Sequence, residues 1–173
     1  MNAPLDQSDF AAATTPNEPH IEFELARGRL LREFFELDVA VTKWLRFLGE
    51  KDSTKPLGQK LEQLANHALL SKKAKRNQIK QIEALEDDCD VPLKIRNATV
   101  HSSFEAGTRG GESCALLKMT GHAVDESHER FVVTFAEMDQ AAKDAKRLAG
   151  RLVNYLTQAS SPPPPSPGAT ADP

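Results

Sequence analysis

Residues 21–48 read IEFELARGRLLREFFELDVAVTKWLRFL, and this segment sets the architecture of the chain. Large apolar residues recur in it at spacings of three and four, which is the period of a helix with one buried face. These residues are Leu30, Phe34, Leu37, Val41, Trp44, Leu45 and Leu48. We therefore predict one long amphipathic helix, ended by Gly49 and Pro56, against which the other elements pack.

Two shorter helices are predicted to follow. Leucines and alanines repeat at helical spacing from residue 57 to residue 69, which predicts a second helix. A third helix is predicted over residues 75–85. Its apolar residues share one side and are Ile79, Ile82 and Leu85.

The last two predicted helices lie on either side of a Gly-rich region. Asp90-Val91-Pro92 is typical of a helix start, because Asp suits the N-cap and Pro suits the first turn. We therefore predict a fourth helix over residues 91–104. A final helix is predicted over residues 138–156, where apolar residues return at helical spacing. Thr134 and Glu137 before it have the spacing of a capping box.

Between these two helices the sequence predicts a β-hairpin. Residues 114–120 and 130–135 are short apolar-rich runs, and the polar residues 121–129 separate them as a turn would. We expect the hairpin at about 113–135. The predicted fold class is mainly α, a helical bundle of four to five helices with this β-hairpin inserted before the C-terminal helix.

Both ends of the chain lack an apolar period. We predict that residues 1–18 form a disordered N-terminal segment and that the Pro-rich residues 160–173 form a disordered tail. Residues 19–159 remain as one helical domain. This agrees with a length of 173 residues and a hydrophobic content of 39%.

Charge and hydropathy restrict the partners and the compartment. A net charge of −3 at pH 7 argues against a protein that coats nucleic acid non-specifically, because such binding needs many Lys and Arg contacts to phosphate. No stretch has the apolar length that a membrane span requires, and the first residues lack the basic-then-apolar plan of a secretory signal. We therefore expect a cytoplasmic protein with no membrane partner.

The chain contains two cysteines, Cys89 and Cys114, which lie far apart in the sequence. Without a second pair or a nearby His-x-x-x-His arrangement, they predict neither a disulfide framework nor a zinc site. We expect both to be small buried residues, and we predict no bound metal and no cofactor. His122 and His128, in the predicted hairpin turn, could hold a metal only adventitiously.

The run Arg96-Asn97-Ala98-Thr99-Val100-His101 is the candidate functional motif. It places a permanent cation, an amide and an imidazole within two turns of the predicted fourth helix. Arg clamps a phosphate with a planar fork, His moves a proton near neutral pH, and Asn orients the His or the substrate. The alternative is that Arg96 and His101 are ordinary polar positions on a bundle helix.

This motif resembles the signature of the HEPN superfamily of helical-bundle proteins, in which an Arg, usually followed by a polar residue, is separated from a His by four to six intervening residues. Four intervene here. The resemblance implies a metal-independent endoribonuclease whose products end in 2′,3′-cyclic phosphate or 3′-phosphate, in some cases as part of a toxin–antitoxin or defence system. It also implies a homodimer with paired motifs and control by an antitoxin or a nucleotidyltransferase partner.

The chemistry of RNA agrees with these residue types. The 2′-hydroxyl is a built-in nucleophile, so cleavage needs a base for that hydroxyl, a cation for the transition state and a proton for the leaving oxygen. We assign proton transfer to His101, phosphate binding and transition-state stabilisation to Arg96, and positioning to Asn97.

Four basic residues upstream of the motif are candidate substrate-binding residues: Lys72, Lys73, Lys75 and Arg76. They could guide an RNA backbone toward the motif, because clustered cations attract phosphate. The alternative is an ordinary solvated helix face, which is what a run of charges usually forms.

Two questions stay open at the level of sequence. Leu93, Val100 and Phe104 form a stripe that could meet a second copy across a two-fold axis, bringing two motifs together, or could face the chain's own core. The second question is activity. The rival to a ribonuclease is a noncatalytic HEPN-like bundle that binds a protein partner or a nucleotide.

Overall fold

The apolar period of residues 21–48 becomes a helix of 31 residues, and the remaining elements pack along its buried face. The structure is a computed structural model that describes residues 10–12, 18–51, 54–67, 70–119 and 130–161. The helices are α1 (Glu18–Leu48), α2 (Leu57–Ala65), α3 (Leu70–Lys73), α4 (Arg76–Glu83), α5 (Leu85–His101) and α6 (Phe135–Ser160). The strands are β1 (Phe10–Ala12), β2 (Ser102–Arg109), β3 (Glu112–Met119) and β4 (Arg130–Thr134).

Helices α1 and α6 form the centre of the bundle and run in the same direction. The rings of Phe23 and Phe135, near their two starts, lie 6.3 Å apart. Further along, the buried Trp44 indole Nε1 donates a hydrogen bond of 2.8 Å to the carbonyl oxygen of Leu152. The first turn of α6 has the predicted capping box, with the Glu137 amide donating to Thr134 Oγ1 at 3.1 Å.

The predicted fold class is confirmed, since the structure is mainly helical with an antiparallel sheet before the last helix. The predicted hairpin corresponds to β3 and β4, which pair from Cys114 opposite Thr134 to Lys118 opposite Arg130. Its turn, residues 120–129 with His122 and His128, lies outside the described residues.

The sheet is larger than predicted, with the order β1-β2-β3-β4 among the described residues. Strand β2 pairs with β3 along its whole length, and Gly110 and Gly111, with φ of 57° and 86°, form the two-residue turn between them. Phe10–Ala12 pair with the far edge of β2. These three residues therefore depart from the disorder predicted for residues 1–18.

Both predicted ends of the motif helix are wrong. Helix α5 begins at Leu85 and continues through Pro92, which is buried. Pro92 lacks the amide that would bond the Asp88 carbonyl, a loss of about 1 kcal/mol. Extending the helix back to Leu85 buries that side chain together with Cys89, which offsets this cost, since burying one Leu contributes about 1.5–3 kcal/mol.

The helix ends at His101, because Ser102 is already extended with φ −117° and ψ 147°. Phe104, predicted to be helical, lies in β2 and stacks on Phe23 with ring centroids 3.9 Å apart. None of the described helices is both long enough and apolar enough to cross a membrane.

Replacing Trp44 tests the central packing. We expect Trp44→Ala to lower the free energy of unfolding by about 3–5 kcal/mol, because it leaves a cavity and an unpaired carbonyl between α1 and α6. The measurement is urea unfolding followed by circular dichroism. Val153→Ala, at an exposed position beside Leu152, is the control and should change stability by less than about 0.5 kcal/mol. Equal effects of the two variants would contradict this packing.

The two thiols give a second test. Burial, with smaller effects from Asp88 and Asp144, raises the pKa of Cys89 to about 12, and burial also raises the pKa of Cys114. A buried neutral thiol reacts slowly, because the thiolate is the nucleophile. We expect iodoacetamide at pH 8 to leave the native chain unmodified and to label both cysteines in urea, as measured by mass spectrometry. Rapid labelling of the native chain would contradict their burial.

Candidate functional site

The candidate motif occupies the last two turns of α5, directly before the chain enters β2. Helix α5 packs against α6 and α2, and its buried residues are Leu85, Cys89, Pro92, Ala98 and Thr99. Ala98 lies about 180° around the axis from Cys89, so the last turns are covered on more than one side. Thr99 Oγ1 donates to the Arg96 carbonyl oxygen at 2.8 Å, a bond within the helix. Between these covered sides, the motif turns present Asn97 and His101 to solvent.

The Cα of Arg96 lies on the inward side of α5, whereas its guanidinium lies on the outer side. It follows Pro92 by four residues and Cys89 by seven, so its Cα lies above that buried line, and the residue is half-buried. Its guanidinium turns away from this line, since Arg96 Nη1 donates a hydrogen bond of 2.9 Å to Asn97 Oδ1. The apolar stem covers the helix while the charged head reaches the exposed amide.

Asn97 and His101 are both exposed and share the outer flank of α5. They are one turn apart and differ by about 40° around the helix axis, whereas Arg96 and His101 differ by about 140°. The hydrogen bond to Asn97 compensates for part of this difference, because it draws the guanidinium toward the flank that carries His101. A cation, an amide and an imidazole are thus gathered at one end of one helix.

Lys94 was not a predicted site residue, yet it belongs to the same flank. It precedes Asn97 by three residues and His101 by seven, so all three lie on one line along α5. Its ammonium pairs with Asp90 at 2.8 Å, and both side chains are largely exposed. The helical period of the polar residues is the signal that would have identified Lys94 from the sequence.

Two members of the predicted stripe, Leu93 and Phe104, pack against the chain's own core, whereas Val100 is half-buried and is not part of it. Leu93 packs closely against α2, where a Cβ added to Gly58 would lie 3.5 Å from Leu93 Cδ2. Phe104 lies near the start of α1, stacked on Phe23 and with its ring 4.8 Å from that of His20. Because Phe104 belongs to β2, the stripe predicted on one helix is divided between α5 and β2.

Ser102, the residue after His101, carries a buried hydroxyl. Ser102 Oγ is buried and makes no hydrogen bond within the described part of the chain. Ser103 Oγ, in contrast, is exposed and lies 3.4 Å from the Lys118 carbonyl oxygen of the neighbouring strand. The chain therefore passes at these two serines from α5, which ends at His101, into strand β2.

The predicted basic residues lie at the other end of the bundle. Lys72, Lys73, Lys75 and Arg76 are all exposed around α3 and the start of α4. Lys73 Nζ donates to the Phe47 carbonyl oxygen at 2.6 Å and sits 4.7 Å from the centre of the Phe47 ring. The motif, in contrast, is three residues from Phe104, which stacks on Phe23. The length of α1 between Phe23 and Phe47 is about 36 Å. The structure does not bring this cluster to the motif.

His67 does not belong to the site. Its Nε2 lies 3.4 Å from Glu50 Oε1, beyond the end of α1 that carries Phe47, whereas the motif lies toward the end that carries Phe23. Among the described residues, no group of three or more His, Cys, Asp or Glu side chains could hold a metal ion.

No family model, curated protein or solved structure matches this chain.

The position of Lys73 predicts a structural role. Its ammonium satisfies a carbonyl at the last turn of α1 and covers an aromatic ring, and such contacts contribute about 0.5–1 kcal/mol each at exposed sites. We expect Lys73→Ala to lower the free energy of unfolding by about 1 kcal/mol and Lys72→Ala to lower it by less than about 0.5 kcal/mol. Thermal unfolding compares the pair. A larger loss at Lys72 would contradict this assignment.

Proposed function

We propose that this protein is a metal-independent endoribonuclease of the HEPN type, with its site on the outer flank of α5. The observation that carries the proposal is the hydrogen bond from Arg96 to Asn97, which holds the guanidinium beside the flank of the exposed His101. A phosphate-binding cation and a proton-transferring imidazole are the two groups that 2′-hydroxyl attack requires.

Each side chain has one task in this reaction. His101 accepts the proton of the 2′-hydroxyl as its oxygen bonds to phosphorus, and the bond from phosphorus to the 5′-oxygen breaks as that oxygen takes up a proton from a water molecule at this solvent-exposed flank. Arg96 binds the non-bridging phosphate oxygens and stabilises their charge in the transition state. Asn97 fixes the guanidinium. The products are a 2′,3′-cyclic phosphate and a free 5′-hydroxyl.

The shape of the site favours a macromolecular substrate. Small-molecule sites are usually concave, whereas Asn97 and His101 lie on an exposed helix flank. A single-stranded RNA can lie across such a flank, with Lys94 contacting a neighbouring phosphate. The substrate class of the proposal is therefore single-stranded RNA, in the cytoplasm, and the toxin or defence role implied by the HEPN resemblance belongs to the same proposal.

The decisive experiment is cleavage of single-stranded RNA by purified protein in EDTA. We expect the wild-type chain to cut, and His101→Ala to cut at least about 100-fold more slowly, because removing a general acid–base group costs about 10²–10⁴ in rate. His67→Gln removes an imidazole that lies beside Glu50, at the other end of α1 from the motif, and is the matched control, expected to cut at the wild-type rate. Helix content by circular dichroism should be the same in all three proteins.

A second variant separates charge from geometry. Arg96→Lys keeps the positive charge but loses the planar fork that grips both Asn97 and phosphate, so we expect a loss of roughly tenfold or more in rate. If the wild-type chain fails to cut RNA, or if His101→Ala cuts as fast as wild type, the ribonuclease proposal is wrong. RNA binding without cleavage would then favour the noncatalytic HEPN-like bundle.

A further inference from the structure

Helix α1 carries a second apolar stripe on the side opposite to its buried face. Its members recur at alternating spacings of four and three, which is the heptad pattern of a coiled coil. We call this stripe the outer seam. It consists of Ile21, Leu25, Gly28, Arg32, Phe35 and Val39.

Three large side chains of the outer seam are left exposed by the described part of the chain. Ile21 is 60% exposed, Leu25 57% and Phe35 64%, and these are large side chains whose exposure a lone domain does not need. A Cβ added to Gly28 would meet nothing within 4 Å, so the chain's own packing does not require a glycine here. Gly150 on α6 is equally open, but no exposed apolar stripe passes through it.

The charges beside the outer seam decide what covers it. Glu24 lies on one side of the seam and Arg29 on the other, and both are exposed. Within its own chain Glu24 Oε1 lies 3.4 Å from Arg27 Nη1, a pair open to solvent whose carboxylate can also accept from a second cation. In two parallel helices in register, Glu24 of each copy lies beside the partner's Arg29, so that one ion pair forms on each side of the dimer. The seam is therefore complementary to itself, as a two-fold interface between identical chains requires.

Arg32 is the one polar side chain within the seam, and its guanidinium is directed away from the seam toward Glu33. Arg32 Nε donates a hydrogen bond of 3.1 Å to Glu33 Oε1 of its own chain, and Glu33 is 8% exposed. Only the apolar stem then remains at the seam. A single polar residue at such a position is compatible with a two-stranded coiled coil and fixes its register.

The antiparallel alternative has the wrong charges. In two antiparallel copies of α1, aligning the apolar residues sets Leu25 against the partner's Phe35. This alignment places Arg29 beside the partner's Arg29. It also places Glu22 beside the partner's Glu36. The parallel pairing replaces these repulsions with the Glu24–Arg29 attractions. It sets Arg32 opposite the partner's Arg32, where the Glu33 carboxylate of each chain offsets the like charge. Because the two pairings use the same apolar side chains, charge distinguishes the direction.

We propose that the outer seam is the interface of a parallel homodimer, formed by two copies of α1 in register. Because the seam faces away from the bundle interior, where α5 packs, the motif of each copy stays outside the interface. Dimerisation in this form does not depend on ribonuclease activity, and either proposal can fail while the other holds.

Analytical ultracentrifugation of the full chain over a range of concentrations tests the interface. We expect wild type to dimerise, Glu24→Arg and Arg29→Glu each to weaken the dimer at least threefold, and the double variant to recover wild-type affinity. Lys146→Glu on α6 is the control and should not change the affinity. A wild-type chain that stays monomeric, or a double variant without recovery, would overturn the proposal.

Cross-linking tests the direction independently of charge. In the parallel register, residue 28 of one chain faces residue 28 of the other, so Gly28→Cys should form a disulfide-linked dimer under mild oxidation. Val153→Cys, which is exposed on α6, should not, and the buried Cys89 and Cys114 should not contribute. A Gly28→Cys chain that dimerises without forming this link would exclude the parallel register.

Discussion

The contact between α1 and α6 is the constraint on which the rest of the structure depends. These two helices are the longest, and the indole of Trp44 joins them through both apolar burial and a hydrogen bond to the Leu152 carbonyl. A buried indole that left its N–H unpaired would lose about 1–3 kcal/mol, so the bond fixes how far the helices can slide. Their common direction then follows from Phe23 meeting Phe135 at the other end.

Helix α5 packs on α6 and α2, and this packing gives the motif its orientation. Leu85, Cys89 and Pro92 are buried along one line of α5. Asn97 and His101 lie away from that line and are exposed. Their exposure therefore results from the packing of other residues, and the return of the chain as β2 fixes the end of the helix directly after the imidazole.

Much of this fold follows from local patterns. The period of residues 21–48, the Thr134–Glu137 capping box and the two runs of the β3–β4 hairpin each predicted an element that the structure contains. The turn at Gly110-Gly111 was an available sign of the missed strand β2, because two adjacent glycines suit a two-residue hairpin. The path of α5 through Pro92 was not predictable in this way. Whether the helix continues through Pro92 depends on whether the burial of Leu85 and Cys89 outweighs the hydrogen bond lost at the proline.

For the candidate site, helical spacing alone is enough to put Asn97 and His101 on one flank and Arg96 elsewhere. The sequence could not show that the guanidinium bends back to Asn97, because a flexible side chain of that length reaches either side of its helix. Nor could it show that Lys72 to Arg76 lie at the opposite end of the bundle, since that distance depends on the direction of every helix between them.

The molecule thus has two distinctive outer surfaces that do not compete. The outer seam lies on the face of α1 opposite its buried side, and the motif flank lies on α5, which packs mainly against α6 and α2. Covering the seam by a second copy would leave both motif flanks open to a strand of RNA. Each flank then depends on its own Arg96, Asn97 and His101, so assembly would act on concentration and stability without changing the chemistry of a single site.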